Sequence, residues 1–291
     1  MLTFNSSNLP TQLPLPSEAA IQYEQTVLSW AYTHADDIVC RRDLPYGDDP
    51  AQRYDVYYQP GMEQRPVLVF WHGGGWTNGY KEYASFMAGH VVRLGMVLVT
   101  PGYRLAPHSR MPASFHDCLL LLQTLTADIG QYGGSAQHLY LSGHSAGAHL
   151  ATLTALRGAE VAAAGVSPAA IRACLPVSGI MDLHHPSPVP GSLEERVYTM
   201  VLSMPEQDAV MSPVCWTNGN QIPILLSYGE RDSARVLSSN RRLAALVAFQ
   251  DCRQSFNVEP GLDHFQTHLA LKDGDHPWYR RLSAIVQETA A

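Results

Sequence analysis

Charge is scarce in this 291-residue chain: only 15% of its residues are Asp, Glu, Lys or Arg, with 19 basic residues against 26 acidic ones. The net charge of −7 and the lack of any basic cluster remove the electrostatic footprint that a phosphate backbone requires, so nucleic-acid partners are excluded. Cysteines are few, odd in number and scattered: Cys40, Cys118, Cys174, Cys215 and Cys252 are never in Cys-x-x-Cys spacing. A disulfide framework and a zinc ribbon are both excluded, and a reducing compartment suits the chain. No apolar run reaches the length of a membrane span, and Met1–Asn5 carries neither a basic nor an apolar leader region. A soluble, cytoplasmic protein without membrane contact is therefore expected. The 13 histidines contain no His-Glu-x-x-His, and the one four-residue pair, His264 and His268, has a competing use described below. No metal and no cofactor are expected, and neither internal repeats nor low-complexity tracts occur.

What is present is apolar material in abundance. Hydrophobic residues make up 46% of the chain and the mean hydropathy is −0.10, enough to bury one large core. Residues 1–16, with three prolines, read as an arm, followed by a helix N-capped by Ser17 and running to about His34. Residues 1–37 are thus separated from a main domain over 38–291. Strands are expected at Tyr54–Gln59, Val67–Trp71, Met96–Thr100, His138–Ser142, Ala173–Val177, Ile222–Ser227 and Ser255–Val258. Helical spacing fills Glu82–Leu94, Ala113–Leu125, Ser145–Leu156, Ala234–Phe249 and Pro277–Glu288. Such alternation specifies an α/β fold, a mostly parallel sheet with helices on both faces. The proline-rich stretch at about 181–220 breaks it and reads as a small cap insertion over the strand ends. Leu193, Tyr198, Met200 and Met204 are its apolar candidates.

Three sets of residues carry chemistry. Gly143-His144-Ser145-Ala146-Gly147 joins a strand to a helix, the context in which a nucleophilic serine sits on a sharp turn. Small residues at 143 and 147 let the backbone fold back, and the helix N-terminus favours developing negative charge. His72-Gly73-Gly74-Gly75-Trp76 follows the buried strand Val67–Trp71, and its uncovered N–H groups at Gly74 and Gly75, with that of Ala146, fit an oxyanion. A dinucleotide fingerprint fails there because the position needing a third glycine is Asn78. A base and an acid must then follow in the order Ser, Asp/Glu, His. His264 lies on the loop after Ser255–Val258, and Asp232 on the loop after Ile222–Tyr228, both at carboxyl ends of strands. Glu230, Asp263 and Asp182 compete as acids; Asp232 ranks first because Asp263 adjoins His264 and would face away. His72 reads as a backbone-fixing group, while Trp76, Tyr80 and His144 are candidates for substrate contact and Tyr83 for the same rim.

These motifs, with Val177-Ser178-Gly179-Ile180-Met181-Asp182-Leu183 and Asp263-His264-Phe265, resemble the kynurenine formamidase-like branch of the α/β-hydrolases over about residues 38–270. Gly102-Tyr103-Arg104-Leu105-Ala106-Pro107 is also similar to a segment of hormone-sensitive-lipase-like esterases. That family usually has Glu where this chain has His108 and Asp where it has His144, which favours the formamidase-like and feruloyl-esterase-like branch. The resemblance implies an α/β-hydrolase fold and a metal-independent serine hydrolase with Ser145, Asp232 and His264 as triad. It implies a small, aromatic substrate: an aryl formamide or amide, or a short-chain carboxylic ester. A general carboxylesterase is the alternative within the class, and a non-catalytic small-molecule receptor on the same fold the alternative outside it. The oligomeric state stays open.

Overall fold

The computed structural model describes residues 4–289; the ends of the expected arm (1–3) and of the main domain (290–291) lie outside them. Eight strands form one sheet: β1 (Val39–Pro45), β2 (Arg53–Tyr58), β3 (Arg65–Trp71), β4 (Val97–Pro101), β5 (Gly134–His144), β6 (Ile171–Val177), β7 (Ile224–Gly229) and β8 (Gln254–Glu259). The helices are α1 (Glu18–Ser29), α2 (Ala88–Arg93), α3 (Ala113–Asp128), α4 (Ala146–Leu156), α5 (Gly158–Ala163), α6 (Leu193–Arg196), α7 (Ala234–Val247), α8 (Gln266–Leu269) and α9 (Pro277–Glu288).

The spatial order is β1-β2-β4-β3-β5-β6-β7-β8. β2 runs antiparallel to both β1 and β4, and every pairing from β4 onward is parallel. The central strands are apolar on both faces because each face is covered: Val67, Val69, Val97, Val99 and Leu141 pack toward α3 and α4, while Leu68, Phe70, Leu98, Tyr140 and Leu175 pack toward α1, α2 and α9. Crossovers between parallel strands return each strand in the same direction, so the carboxyl ends of β3, β5, β7 and β8 collect on one edge.

Three local expectations differ from the fold, the first being Glu82–Leu94, expected as one helix, which forms a 3-10 segment at Lys81–Met87 followed by α2. β1 has no counterpart in the hydrophobic pattern, since Cys40-Arg41-Arg42-Asp43 lies on an exposed edge where only half of the backbone needs a partner. The first helix ends at Ser29 rather than His34. Tyr32 adopts φ 57° so that its hydroxyl reaches Asp55 at 2.8 Å and Glu82 at 3.0 Å, and that buried polar anchor outweighs continued helix. Lys81, 2.9 Å from Asp55 and 2.7 Å from Glu82, completes the group. Tyr23 and Val27 of α1 share one apolar cluster with Phe70 and Tyr83. Between β6 and β7 the chain forms α6, a π-helical turn at Val197–Val201 and short 3-10 turns. Among the described residues no helix is long and apolar enough to cross a membrane.

Candidate active site

β5 ends at His144 and the chain reverses at Ser145 before α4 begins. The reversal holds Ser145 at φ 54° and ψ −117°, a region that L-residues occupy only where the surroundings impose it. Glycine on both sides makes the turn sterically possible. A Cβ on Gly143 would lie 2.5 Å from the Gly147 carbonyl carbon, and one on Gly147 2.1 Å from the Trp71 oxygen. Ser145 Oγ thereby stands at the N-terminus of α4, where the helix dipole favours negative charge.

The loop after β8 brings His264 Nε2 to 2.9 Å from Ser145 Oγ, and the loop after β7 brings Asp232 Oδ1 to 2.8 Å from His264 Nδ1. An ionised carboxylate only accepts, so Nδ1 carries the proton and the Nε2 lone pair faces the serine hydroxyl. The Asp232 side chain has no exposed surface. Burial alone would raise its carboxyl, but the hydrogen bond and charge of His264, with the hydrogen bond from the Ser233 N–H, outweigh it and hold the group below the usual carboxylate range. The competing acids are engaged elsewhere: Glu230 accepts from the Gly261 N–H, Asp263 accepts from Phe265 and Gln266 N–H within its own turn, and Asp182 pairs with Arg242.

The glycine loop flanks the serine. Gly74 adopts φ 125° and Gly75 φ 61°, and a Cβ on Gly74 would sit 2.0 Å from the Asn78 oxygen. No hydrogen bond among the described residues engages the N–H of Gly74, Gly75 or Ala146. His72 donates through Nδ1 to the Gly73 oxygen at 2.7 Å and stacks on Tyr103 with ring centroids 4.4 Å apart. Burial lowers its imidazole to about 4, so His72 is a neutral brace for the loop. Tyr103 in turn donates through its hydroxyl to the His72 oxygen at 3.0 Å, and its neighbour Arg104 grips the buried Asp117 at 2.6 Å.

The three residues expected to contact substrate lie in three different settings. Trp76 is 1% exposed because the turn at φ 60° sends its ring inward, edge-on to His149 at 5.0 Å. Tyr80 is tied to the N-terminal arm by its hydroxyl, which donates to the Pro10 oxygen at 2.8 Å. Its ring lines a cavity of about 600 Å³ whose walls include His72, Tyr103 and Leu105 but none of Ser145, Gly74, Gly75, Ala146 or His264. His144 is buried beside His264, where its Nε2–H donates to the His264 carbonyl oxygen at 2.8 Å and its ring stacks on His268. Tyr83, the fourth aromatic, is also in the core.

Sequence reasoning missed the groups that hold His264 in place. Thr267 Oγ1 donates to the same His264 oxygen at 2.8 Å and lies 2.8 Å from Ser178 Oγ. Ser178, at φ 51°, follows β6 in the Val177-Ser178-Gly179 segment, the one local signal that marks it. From the cap, Leu193 Cδ1 would lie 3.7 Å from a Cβ on Gly75, and Arg196 Nη2 donates to Thr77 Oγ1 at 2.9 Å. Of the cap's other apolar candidates, Tyr198 is half-buried and tied to Asp208 at 2.6 Å, while Met204 is exposed.

The sheet, the turn at Ser145 and the acid–base line define an enzyme of the α/β-hydrolase class. Residues 54–245 match the family described as BD-FAE, and the chain belongs to that family. It is 28% identical over 238 residues to a kynurenine formamidase of Salmo salar, across 80% of this chain and 78% of that protein. It is likewise 28% identical over 218 residues to Esterase LipQ of Mycobacterium tuberculosis, across 70% of this chain but 52% of the esterase. A solved structure, the hyperthermophilic esterase from Pyrobaculum calidifontis, shares the fold with a TM-score of 0.76 at 20% identity, covering 94% of this chain and 93% of that one. The chain is a hydrolase of the formamidase and esterase branch.

Proposed function

We propose that the protein cleaves small aryl formamides, amides or short-chain carboxylic esters through an acyl-enzyme formed on Ser145. The carrying observation is the unbroken hydrogen-bonded line from Asp232 through His264 to Ser145, with both bonds under 3 Å. Ser145 Oγ attacks the carbonyl carbon as His264 Nε2 takes its proton, and Asp232 stabilises the imidazolium that forms. The developing oxyanion is received by the N–H groups of Gly74, Gly75 and Ala146. Collapse expels the amine or alcohol with the proton from His264, and a water activated by the same imidazole then releases the acid. Only deacylation returns Ser145 and His264 to their starting state. No step calls for a metal.

Restriction to small substrates is supported by Leu193, which the cap places against the glycine loop. The relative in Salmo salar, aligned along most of its length, favours a formamide; the mycobacterial relative favours an ester. The intact acid–base line disfavours a non-catalytic receptor. A reduced, cytoplasmic setting accords with the five free cysteines. Fluorophosphonate labelling of the purified protein, compared with Ser145→Ala, tests the nucleophile: the wild type is labelled and turns over, and the variant does neither. Hydrolysis retained in Ser145→Ala defeats the mechanism. Rates on N-formyl and N-acetyl anilides beside p-nitrophenyl esters of rising chain length then assign the substrate, and formanilide cleavage several orders of magnitude slower than acetate-ester cleavage places the protein with the carboxylesterases.

A further inference from the structure

The glycine loop is held from behind by a segment far from it in sequence. Gly74 accepts at its carbonyl from the Thr77 N–H at 3.2 Å and the Asn78 N–H at 3.0 Å, so residues 73–79 close on themselves. Gly79, at φ 107°, packs so tightly that a Cβ there would lie 2.2 Å from the Gly73 oxygen and 2.4 Å from His72 Nδ1. The position of the Gly79 peptide therefore sets the position of Gly73 and, through it, of the Gly74 and Gly75 donors. Gly79 is buried, and buried backbone donors and acceptors require partners. Both come from one side chain of the N-terminal arm: Gln12 Oε1 accepts from the Gly79 N–H at 2.7 Å, and Gln12 Nε2 donates to the Gly79 oxygen at 2.7 Å. No other hydrogen bond among the described residues engages either group. On each side of this pair the arm is tied again, by Asn78 Nδ2 to the Leu13 oxygen at 2.5 Å and by Tyr80 Oη to the Pro10 oxygen at 2.8 Å.

We infer that Gln12 is a positioning residue for the oxyanion-binding loop, its carboxamide acting through the Gly79 peptide to keep the Gly74 and Gly75 N–H groups aimed at the reacting oxygen. The inference rests on the reading of Ser145 as nucleophile and of that loop as its oxyanion site. Gln12 itself touches no substrate. The arm, which looks in the sequence like a dispensable leader to the first helix, is thereby part of what sets the rate of the chemical step.

Gln12→Met keeps the length and packing of the side chain and removes both hydrogen bonds; Gln12→Ala removes packing as well. Loss of an oxyanion donor outright costs about 10²–10³ in kcat, and a donor displaced but still present loses less, so both variants should lose roughly tenfold in kcat. The rate is expressed per site titrated with fluorophosphonate, and KM on a p-nitrophenyl acetate substrate should move by less than about twofold, because the donors act on the transition state rather than on the bound ester. Affinity for a trifluoromethyl ketone, whose tetrahedral adduct carries the oxyanion, should weaken by the same factor as kcat. Tyr80→Phe, at the half-exposed end of the tie, should shift both in the same direction by a smaller amount and supplies the test should either Gln12 variant fail to fold. Wild-type kcat in Gln12→Met, whatever happens to its melting temperature, overturns the inference, as does a loss in Gln12→Ala alone, which would mean packing. Ser145→Ala separates the two levels: if it is inactive while Gln12→Met is unimpaired, only the positioning role falls, and if it retains hydrolysis, the underlying reading falls with it.

Discussion

Four histidines are buried under the sheet edge, and acidification sets them against the fold. His72, His144, His149 and His268 are each at most 1% exposed. Burial lowers the imidazoles of His72 and His149 to about 4 and that of His268 to about 3. It lowers His144 well below its ordinary value, with the nearby His264 and His268 acting in the same direction. In the unfolded chain the same groups titrate near 6.5. The unfolded state therefore binds more protons as pH drops below about 6.5, and stability falls with it until the folded-state values are reached. Above that window the folded form carries no such penalty. At pH 5.5 each group whose folded value is near 4 or below costs about 1.4 kcal/mol, so His72, His149 and His268 together cost about 4 kcal/mol. His144 adds to this in the same sense. That is a large part of the roughly 5–15 kcal/mol that holds a typical domain together. Asp232, whose carboxyl is lowered, loses its contribution only in the more acid range below about 4, outside this window. Thermal unfolding at constant ionic strength should show a melting temperature lower by about 8 °C or more at pH 5.5 than at pH 7.5, taking about 2 °C per kcal/mol for a chain of this size. Unfolding at pH 5.5 should also take up at least three protons. Unfolding is the quantity to follow, because activity can be lost at the site without any loss of the fold. Melting temperatures within about 2 °C of each other, or an uptake below one proton, would refute the neutral, buried state of these rings.

The remaining expectations concern the site. Asp232→Asn should lower kcat by on the order of 10⁴ with KM little changed, since an amide at that position favours the wrong tautomer of His264; a mild loss there with a severe one in Asp182→Asn would move the acid. Gly74→Ala, whose Cβ meets the Asn78 oxygen at 2.0 Å, should displace the donor loop and lower kcat by about 10²–10³, read per fluorophosphonate-titrated site. His144→Leu removes the donor to the His264 carbonyl and should lower kcat while His144→Gln, which can still donate, recovers part of it; equal losses in the two would assign His144 to packing alone. Leu193→Ala should raise the rate on esters of eight carbons or more relative to acetate esters, and an unchanged chain-length profile would remove the cap from substrate selection.

The parts of this protein that its sequence alone determined are those whose physics is local. Val67-Leu68-Val69-Phe70-Trp71 reads as a buried strand because both of its faces must be covered, and the turn at Ser145 is legible because only glycine at 143 and 147 clears the Trp71 and Gly147 backbone. Chain order then orders the triad, and the strand ends that bear Asp232 and His264 follow from the parallel sheet. Tertiary structure decided what no spacing encodes. Asp232, Asp263 and Glu230 are chemically alike, and only the approach of two strand-end loops selects the one that reaches His264 at 2.8 Å. His144, Trp76 and Tyr80 sit in or beside the motifs, yet His144 and Trp76 are turned into the core and Tyr80 is tied to the N-terminal arm, placements that motif membership does not encode. The edge strand β1 and the end of α1 at Ser29 were set by partners distant in the chain, β2 for the one and Asp55 and Glu82 for the other. Gln12 is the extreme case: a polar residue in a proline-rich arm, given its place by two hydrogen bonds to a glycine 67 positions away, for which the arm's own composition holds no signal because the requirement belongs to the buried peptide of Gly79.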